Sequence, residues 1–259
     1  MILVKLGGSV ITDKAQYQSV RLDVLTRLCR EIVESGKDVV VVHGAGSFGH
    51  IMAHDHRLAE GHLDDGQIPA LATVSRDVRQ LNLMVMDAML SVGLMPISLP
   101  PSACVLMKGG EIKDLGAERI RSYISLGASP VMFGDVALDE SMGFSICSGD
   151  QIIESLAKEI SPERVVFVSD VDGIMDRDPA DPSSRVVEVV RPEDVEVMDF
   201  HARVKDVTGG IRKKLKSMLG LCTPERECLI INGTVPGRLL AALNGERVLG
   251  TRVELDTDE

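Results

Sequence analysis

Short apolar runs rich in β-branched residues alternate with longer amphipathic stretches along the chain. The apolar runs predict strands at residues 1–6, 38–43, 95–99, 130–133, 164–169 and 227–232. The amphipathic stretches predict helices at about 20–34, 73–92, 117–126, 150–160 and 211–221. Four consecutive valines at 39–42 are apolar on both faces, as in strands that helices cover on either side. The alternation therefore predicts an α/β sandwich around a mostly parallel sheet.

The length and composition are those of a globular protein with a large core. At 259 residues the chain is near the upper limit for a single core, and we place a soft boundary between two lobes near residue 160. The net charge of −11 disfavours broad nucleic-acid binding but allows a small phosphorylated ligand, which a few local cations can hold. Five cysteines without a CxxC pair, and the lack of a signal peptide or a long apolar span, predict a soluble cytoplasmic protein.

Two glycine-rich segments follow predicted strands near the start of the chain. They read KLGGS at residues 5–9 and HGAGSFGH at residues 43–50. Glycines let backbone N–H groups approach an anion closely, and Lys5 and His50 would add positive charge beside it. A tight turn with a solvated lysine, or a histidine with an ordinary polar role, would also explain these residues; the glycine loop beside His50 favours a ligand site.

Three further segments place polar or charged residues where ligands of open α/β sheets bind. They read SGD at 148–150, SDVDGI at 169–174 and DVTGGIRKK at 206–214. Asp150 would also serve as a simple helix N-cap. The acidic residues of the second segment come at the carboxyl end of a buried strand. Lysines in a first helical turn oppose the helix dipole, so those of the third segment indicate a nearby anion.

The sequence lacks the motifs of several familiar nucleotide-binding, protein-kinase and zinc sites. The chain has no GxxxxGK[ST] phosphate loop and no protein-kinase HRD or DFG motif. The histidines at 50, 54 and 56 lack an HExxH pattern or a cysteine partner, so we do not expect a zinc site. Each remaining motif is modest alone, and their ordered presence at strand ends is the stronger signal.

Taken together, KLGGS, HGAGSFGH, SGD, SDVDGI and DVTGGIRKK resemble the amino acid kinase superfamily, from Lys5 to Lys213 and beyond. The resemblance implies a three-layer αβα sandwich with a mostly parallel central sheet. It also implies an acceptor-phosphate-binding lobe at residues 1–160, an ATP-binding lobe at 161–259, ATP with Mg²⁺ as the donor, and a homodimer.

Within that superfamily, HGAGSFGH together with Lys14 is most similar to the isopentenyl phosphate kinases. By this resemblance the catalytic residues would be Lys5, Lys14, His50 and Asp150, with Asp150 orienting the lysines. The ATP-binding residues would be Gly7, Gly8, Ser9, Gly46, Asp170, Asp172, Gly173, Gly209 and Lys213. The acceptor would contact Ala45, Gly46, Gly49, His50 and Gly149, and Met84 would line its isoprenoid tail. Arg212 departs from the glycine common in relatives.

The chemistry is consistent with this resemblance, and alternatives remain open. Phosphoryl transfer to an acceptor that is already a phosphate needs cations against charge repulsion more than it needs a base. A fosfomycin-type kinase would need a similar site, whereas UMP kinase, acetylglutamate kinase and aspartokinase fit less well. A non-catalytic nucleotide- or oxyanion-binding storage protein is the alternative of a different class. Met84 belongs to a methionine-containing helical stripe, which is more often core than ligand pocket.

Overall fold

The computed structural model describes residues 1–13, 15–177, 183–192, 194 and 217–255. Twelve strands are described there, arranged in a sheet of eight and a sheet of four. The strands are β1 Ile2–Leu6, β2 Val39–His43, β3 Pro96–Ser98, β4 Leu106–Lys108, β5 Glu111–Asp114, β6 Ser129–Phe133, β7 Asp135–Asp139, β8 Gly143–Cys147, β9 Arg164–Ser169, β10 Val189–Val190, β11 Glu227–Asn232 and β12 Gly250–Val253.

The larger sheet has the order β10-β12-β11-β9-β1-β2-β6-β3. All its neighbouring strands run parallel except β11 and β12, which are antiparallel. Lys5 of β1 pairs with Val42 of β2 on one side and with Phe167 of β9 on the other. The prediction of a mostly parallel central sheet is confirmed, and all six predicted strands belong to it.

Helices cover both faces of this sheet. The labelled helices are α1 Gly8–Ile11, α2 Leu22–Ser35, α3 His50–Asp55, α4 Ile68–Ser91, α5 Pro101–Cys104, α6 Ala117–Ser125, α7 Gly149–Ile160 and α8 Arg238–Asn244. On one face, residues of α2, α4 and α8 pack on alternate strand residues such as Val4 and Val41. On the other face, α6 and α7 pack on the intervening residues such as Leu3 and Val42. This αβα layering accounts for strands that are apolar on both sides.

The smaller sheet is not anticipated by the hydrophobic pattern. Its order is β5-β4-β7-β8, and its strands β4 and β5 are short and carry exposed polar positions. The carboxylate of Asp139, at the end of β7, accepts hydrogen bonds from the backbone N–H groups of Gly109, Gly110, Ser141 and Met142. A buried carboxylate thus organises the turns of this sheet, which no apolar periodicity signals.

The proposed lobe boundary near residue 160 falls between α7 and β9. Because β9 is hydrogen-bonded directly to β1, the larger sheet continues across this boundary, and the division into two lobes stays a prediction. Of the predicted helices, 211–221 lies mostly outside the described residues. Within the part of the chain that the structure describes, no helix has the length and apolarity needed to cross a bilayer.

Candidate active site

The glycine-rich segments meet at the carboxyl ends of the parallel strands. β1 ends at Leu6 and β2 at His43, which are paired in register, and β6 ends at Phe133 beside His43. The segments beginning at Gly7 and Gly44 follow immediately. Ligands of open α/β sheets bind at this edge, since parallel strands deliver their following loops to one place.

The two glycine loops touch through their backbones. A Cβ atom built on Gly8 would lie 2.6 Å from the Gly46 nitrogen, and one built on Gly44 would lie 2.7 Å from the Gly8 nitrogen. Both distances are shorter than real Cβ contacts allow, so only glycine permits this approach. Gly46 also has a positive φ of 50°, which favours glycine. The loops predicted to bind phosphate are therefore one packed unit.

Thr12, which the sequence motifs do not single out, fastens this unit. It is fully buried, and its hydroxyl donates to the Gly8 carbonyl at 2.7 Å and accepts from the Ser47 N–H at 3.1 Å. A Cβ on Gly46 would overlap the Thr12 hydroxyl oxygen. A threonine after a short apolar helix is too common a pattern for the sequence alone to identify it as this link.

Lys5 and Asp150 form an ion pair at this edge of the sheet. Lys5 Nζ lies 2.5 Å from Asp150 Oδ1, and the lysine side chain is only 12% exposed. The same ammonium group lies 5.9 Å from the centre of the Phe167 ring. The sequence allowed Asp150 to be an N-cap, but Ser148 is the cap of α7, in a capping box with Gln151. The Asp150 carboxylate is thus left to hold Lys5.

A gap lined by backbone N–H groups lies beside this pair. A Cβ on Gly134 would stand 3.4 Å from the Ala45 nitrogen and 3.7 Å from the Gly149 nitrogen. Among the described residues neither N–H has a hydrogen-bond acceptor, and Gly149 belongs to the first turn of α7, where such groups are orphaned. The two nitrogens frame a space suited to an anion. Gly134 is a further residue that motif reading missed.

His50 and Gly49 continue the second glycine loop. His50 begins α3 and is exposed. A Cβ on Gly49 would come within 2.8 Å of the Ala45 Cβ and 3.1 Å of Val78 Cγ1. Gly49 therefore lets α3 start close against α4, which explains the glycine by packing and leaves a direct acceptor contact as a prediction.

The residues predicted to bind ATP are distributed along the neighbouring strand ends. Gly7 packs against the end of β9, donating its N–H to the Val168 carbonyl at 2.9 Å, and Ser9 follows it in α1. Asp170 is exposed just beyond β9. Their contacts with ATP stay predictions.

Two other predicted nucleotide residues have clear structural partners. The Asp172 carboxylate accepts hydrogen bonds from Arg238 and from Asn232, and the hydrogen bond from Arg238 is the main reason its pKa is lowered. Gly173 packs against β12, because a Cβ there would lie 2.6 Å from the Thr251 hydroxyl. The polar partners of Asp172 and the packing of Gly173 give each residue a structural role, and their contacts with ATP stay predictions.

Met84 is half-buried and packs against the core. It packs with Leu81, Val85 and Met89 in the cluster between α4 and α2. Of α4, the residues nearest the glycine loop are Val74 and Val78, one to three turns earlier. Core packing explains this half-buried methionine, as it usually does in a methionine-containing helical stripe, and a contact of Met84 with the isoprenoid tail stays a prediction. The predicted residues Lys14, Gly209 and Lys213 lie outside the described residues.

Comparison with known proteins agrees with this fold. The family model described as the amino acid kinase family matches residues 1–232. An isopentenyl phosphate kinase of Methanothermobacter thermautotrophicus is 38% identical, with 98% of each chain covered. That of Thermoplasma acidophilum is 37% identical over 97% of this chain and 99% of its own.

Solved structures give the same result. A crystal structure of an isopentenyl phosphate kinase superposes with a TM-score of 0.85 at 36% identity, covering 98% of this chain and 100% of the other. The product complex of the Thermoplasma acidophilum enzyme superposes with a TM-score of 0.81 at 32% identity, with 98% and 100% covered. The chain belongs to the amino acid kinase family, within the group formed by the isopentenyl phosphate kinases.

Proposed function

We propose that this chain transfers the γ-phosphoryl group of ATP to isopentenyl phosphate, producing isopentenyl diphosphate and ADP for isoprenoid synthesis. The observation that carries the proposal is the Lys5–Asp150 ion pair beside the Ala45 and Gly149 N–H groups, which have no acceptor among the described residues. A cation and several N–H donors at one strand edge suit a reaction between two phosphates, whose main obstacle is mutual repulsion.

The reaction requires little covalent participation from the protein. A terminal oxygen of the acceptor phosphate attacks the γ-phosphorus, the bond to the β–γ bridging oxygen breaks, and ADP leaves with that electron pair. Lys5, with Lys14, would neutralise the transferring group, and Asp150 would keep the Lys5 ammonium in place. His50 and the Ala45 and Gly149 N–H groups would hold the acceptor phosphate. No general base is needed, because the acceptor oxygen is largely ionised at neutral pH.

ATP would lie toward β9 and β11. The residues proposed to hold it are Gly7, Gly8, Ser9, Gly46, Asp170, Asp172, Gly173, Gly209 and Lys213. Mg²⁺ is expected to come with the nucleotide, held mainly by its phosphates and reducing their charge. Among the described residues, no three histidine, cysteine or acidic side chains form a group that would hold a metal ion.

Three predictions go beyond the chemistry of the site. We propose a homodimer, a cytoplasmic location, and an acceptor-binding lobe at 1–160 joined to an ATP-binding lobe at 161–259. Light scattering of the purified chain would test the first, and cell fractionation the second.

The deciding experiment measures ADP release with ATP, Mg²⁺ and one acceptor at a time. The panel contains isopentenyl phosphate, dimethylallyl phosphate, fosfomycin, UMP, N-acetylglutamate and aspartate. Fastest turnover on isopentenyl phosphate supports the proposal. Turnover on UMP or fosfomycin alone would identify that compound as the acceptor in place of isopentenyl phosphate. ATP binding without turnover on any acceptor would indicate a storage protein.

A further inference from the structure

His43 is a buried histidine to which the proposed reaction assigns no role. It ends β2 and has no exposed surface. Its ring stacks on Phe133, with the ring centres 5.3 Å apart and the planes 14° apart. Nδ1 lies 3.1 Å from the Gly44 carbonyl oxygen, and Nε2 lies 3.3 Å from the Asn82 side-chain oxygen. Both ring nitrogens thus face polar groups directly beneath the glycine loop.

These contacts determine where the ring carries its proton. Burial lowers the pKa of His43 to about 4, so the ring is neutral at physiological pH and has one N–H. The Gly44 carbonyl can only accept, so that N–H must be on Nδ1. Nε2 is then an acceptor and needs a donor from Asn82.

Asn82 supplies that donor if its amide is turned by 180°. Its amide nitrogen and oxygen are interchangeable in position, so the hydrogen-bond network must assign them. The Asn82 amide atom on the side away from His43 lies 2.7 Å from Ser98 Oγ. When the NH₂ group faces His43 Nε2, that atom is the amide oxygen, and the Ser98 hydroxyl donates a hydrogen bond to it. The Nδ1–H, the Nε2 acceptor and the Ser98 hydroxyl are then all paired with a neutral ring, and the turn gives up only the contact of the amide nitrogen with Met86 Sδ at 3.5 Å, a weak acceptor.

The bond from Nδ1 has a consequence for the anion site. The carbonyl of Gly44 and the N–H of Ala45 belong to one planar trans peptide, so they point in opposite directions. Holding the carbonyl against the His43 ring turns the Ala45 N–H away from it, toward the gap beside Gly134 and Gly149. The His43 carbonyl also accepts the Gly134 N–H at 3.0 Å, which fixes the other side of the gap.

We propose that His43 is a positioning residue for the acceptor phosphate: it is neutral, protonated on Nδ1, and aims the Ala45 N–H at the anion through the Gly44 carbonyl. The identity of that anion as isopentenyl phosphate rests on the proposed function, whereas the protonation state and the peptide orientation do not.

Paired substitutions separate the two ring nitrogens. In His43→Asn the amide NH₂ takes the place of Nδ1–H, whereas in His43→Gln the polar group reaches the place of Nε2 and Gly44 loses its donor. We expect the KM for isopentenyl phosphate to stay within about threefold in the Asn variant and to rise about tenfold or more in the Gln variant, since one hydrogen bond to a charged ligand is lost. The KM for ATP should change little in both. Equal acceptor KM values in the two variants would overturn the proposal.

A spectroscopic measurement on the unmodified chain keeps the test independent of folding. A long-range ¹H–¹⁵N correlation spectrum at pH 7, assigned with His43→Asn, should show the Nδ1–H tautomer. An Nε2–H tautomer or a doubly protonated ring would refute the proposal even if the chain is a kinase. Conversely, failure of isopentenyl phosphate in the acceptor panel would refute the proposed function and leave the tautomer result standing.

Discussion

Replacing Lys5 by methionine tests the electrostatic basis of the proposed reaction. Methionine keeps most of the length and apolar stem of lysine but removes the charge. A unit charge about 4 Å from a phosphoryl oxygen contributes about 4 kcal/mol at an effective dielectric constant of about 20. Since about 1.4 kcal/mol corresponds to a factor of ten in rate, losing most of this stabilisation in the transition state predicts a fall in kcat of about 10² to 10³.

The fold should tolerate this change. Asp150, the partner left behind, has a side chain that is 44% exposed and is therefore still solvated. Its loss of an ion partner should cost about 1 kcal/mol or less of unfolding free energy. Urea unfolding of both proteins checks this expectation, and ADP release at saturating ATP and isopentenyl phosphate gives kcat. Lys37→Met is the matched control, because Lys37 is exposed just before β2, at the opposite end of the sheet.

A kcat for Lys5→Met within about tenfold of the unmodified value would refute the reasoning, since the missing charge would then be worth under about 1.4 kcal/mol. A similar loss in the Lys37→Met control would mean that the assay reports general damage and not the site.

Two further predictions concern stability. Gly8→Ala should lower the unfolding free energy by about 1–3 kcal/mol in urea titrations, because its Cβ would lie 2.6 Å from the Gly46 nitrogen. The Cβ of Gly149→Ala would meet its nearest atoms at 3.5 Å, so this variant should have unchanged stability or gain up to about 1 kcal/mol. Equal losses in the two variants would contradict the packing argument. The lowered pKa of Asp172 beside Arg238 contributes stability at neutral pH that is lost as the pH falls below about 3.9. Thermal melts from pH 7 to pH 3 should therefore show a smaller acid-induced drop in Asp172→Asn, by about 1 kcal/mol or less for this partly exposed pair, and an unchanged drop would exclude that contribution.

The sequence alone determined the fold class and the glycine loops of the site. Strands such as 39–42 are apolar on both faces because helices cover both sides of a parallel sheet, and this pattern is visible without coordinates. The loops KLGGS and HGAGSFGH can also be recognised from the sequence, because close approach of two backbones requires glycine at fixed positions. The strand order and the second sheet cannot be read in this way, because β4 and β5 are short and polar, and their turn depends on a distant partner, Asp139.

Tertiary structure decided which residues act together. The sequence allowed Asp150 to be a helix cap. In the structure Ser148 caps α7, and the Asp150 carboxylate pairs with Lys5, which lies on a strand 145 residues earlier in the chain. Thr12 and Gly134 carry no motif, yet one fastens the glycine loops and the other leaves the gap between two N–H groups. Such roles depend on distances between segments that are far apart in the chain. Local pattern records which conformations a segment favours, whereas only the packed sheet brings these groups to one edge.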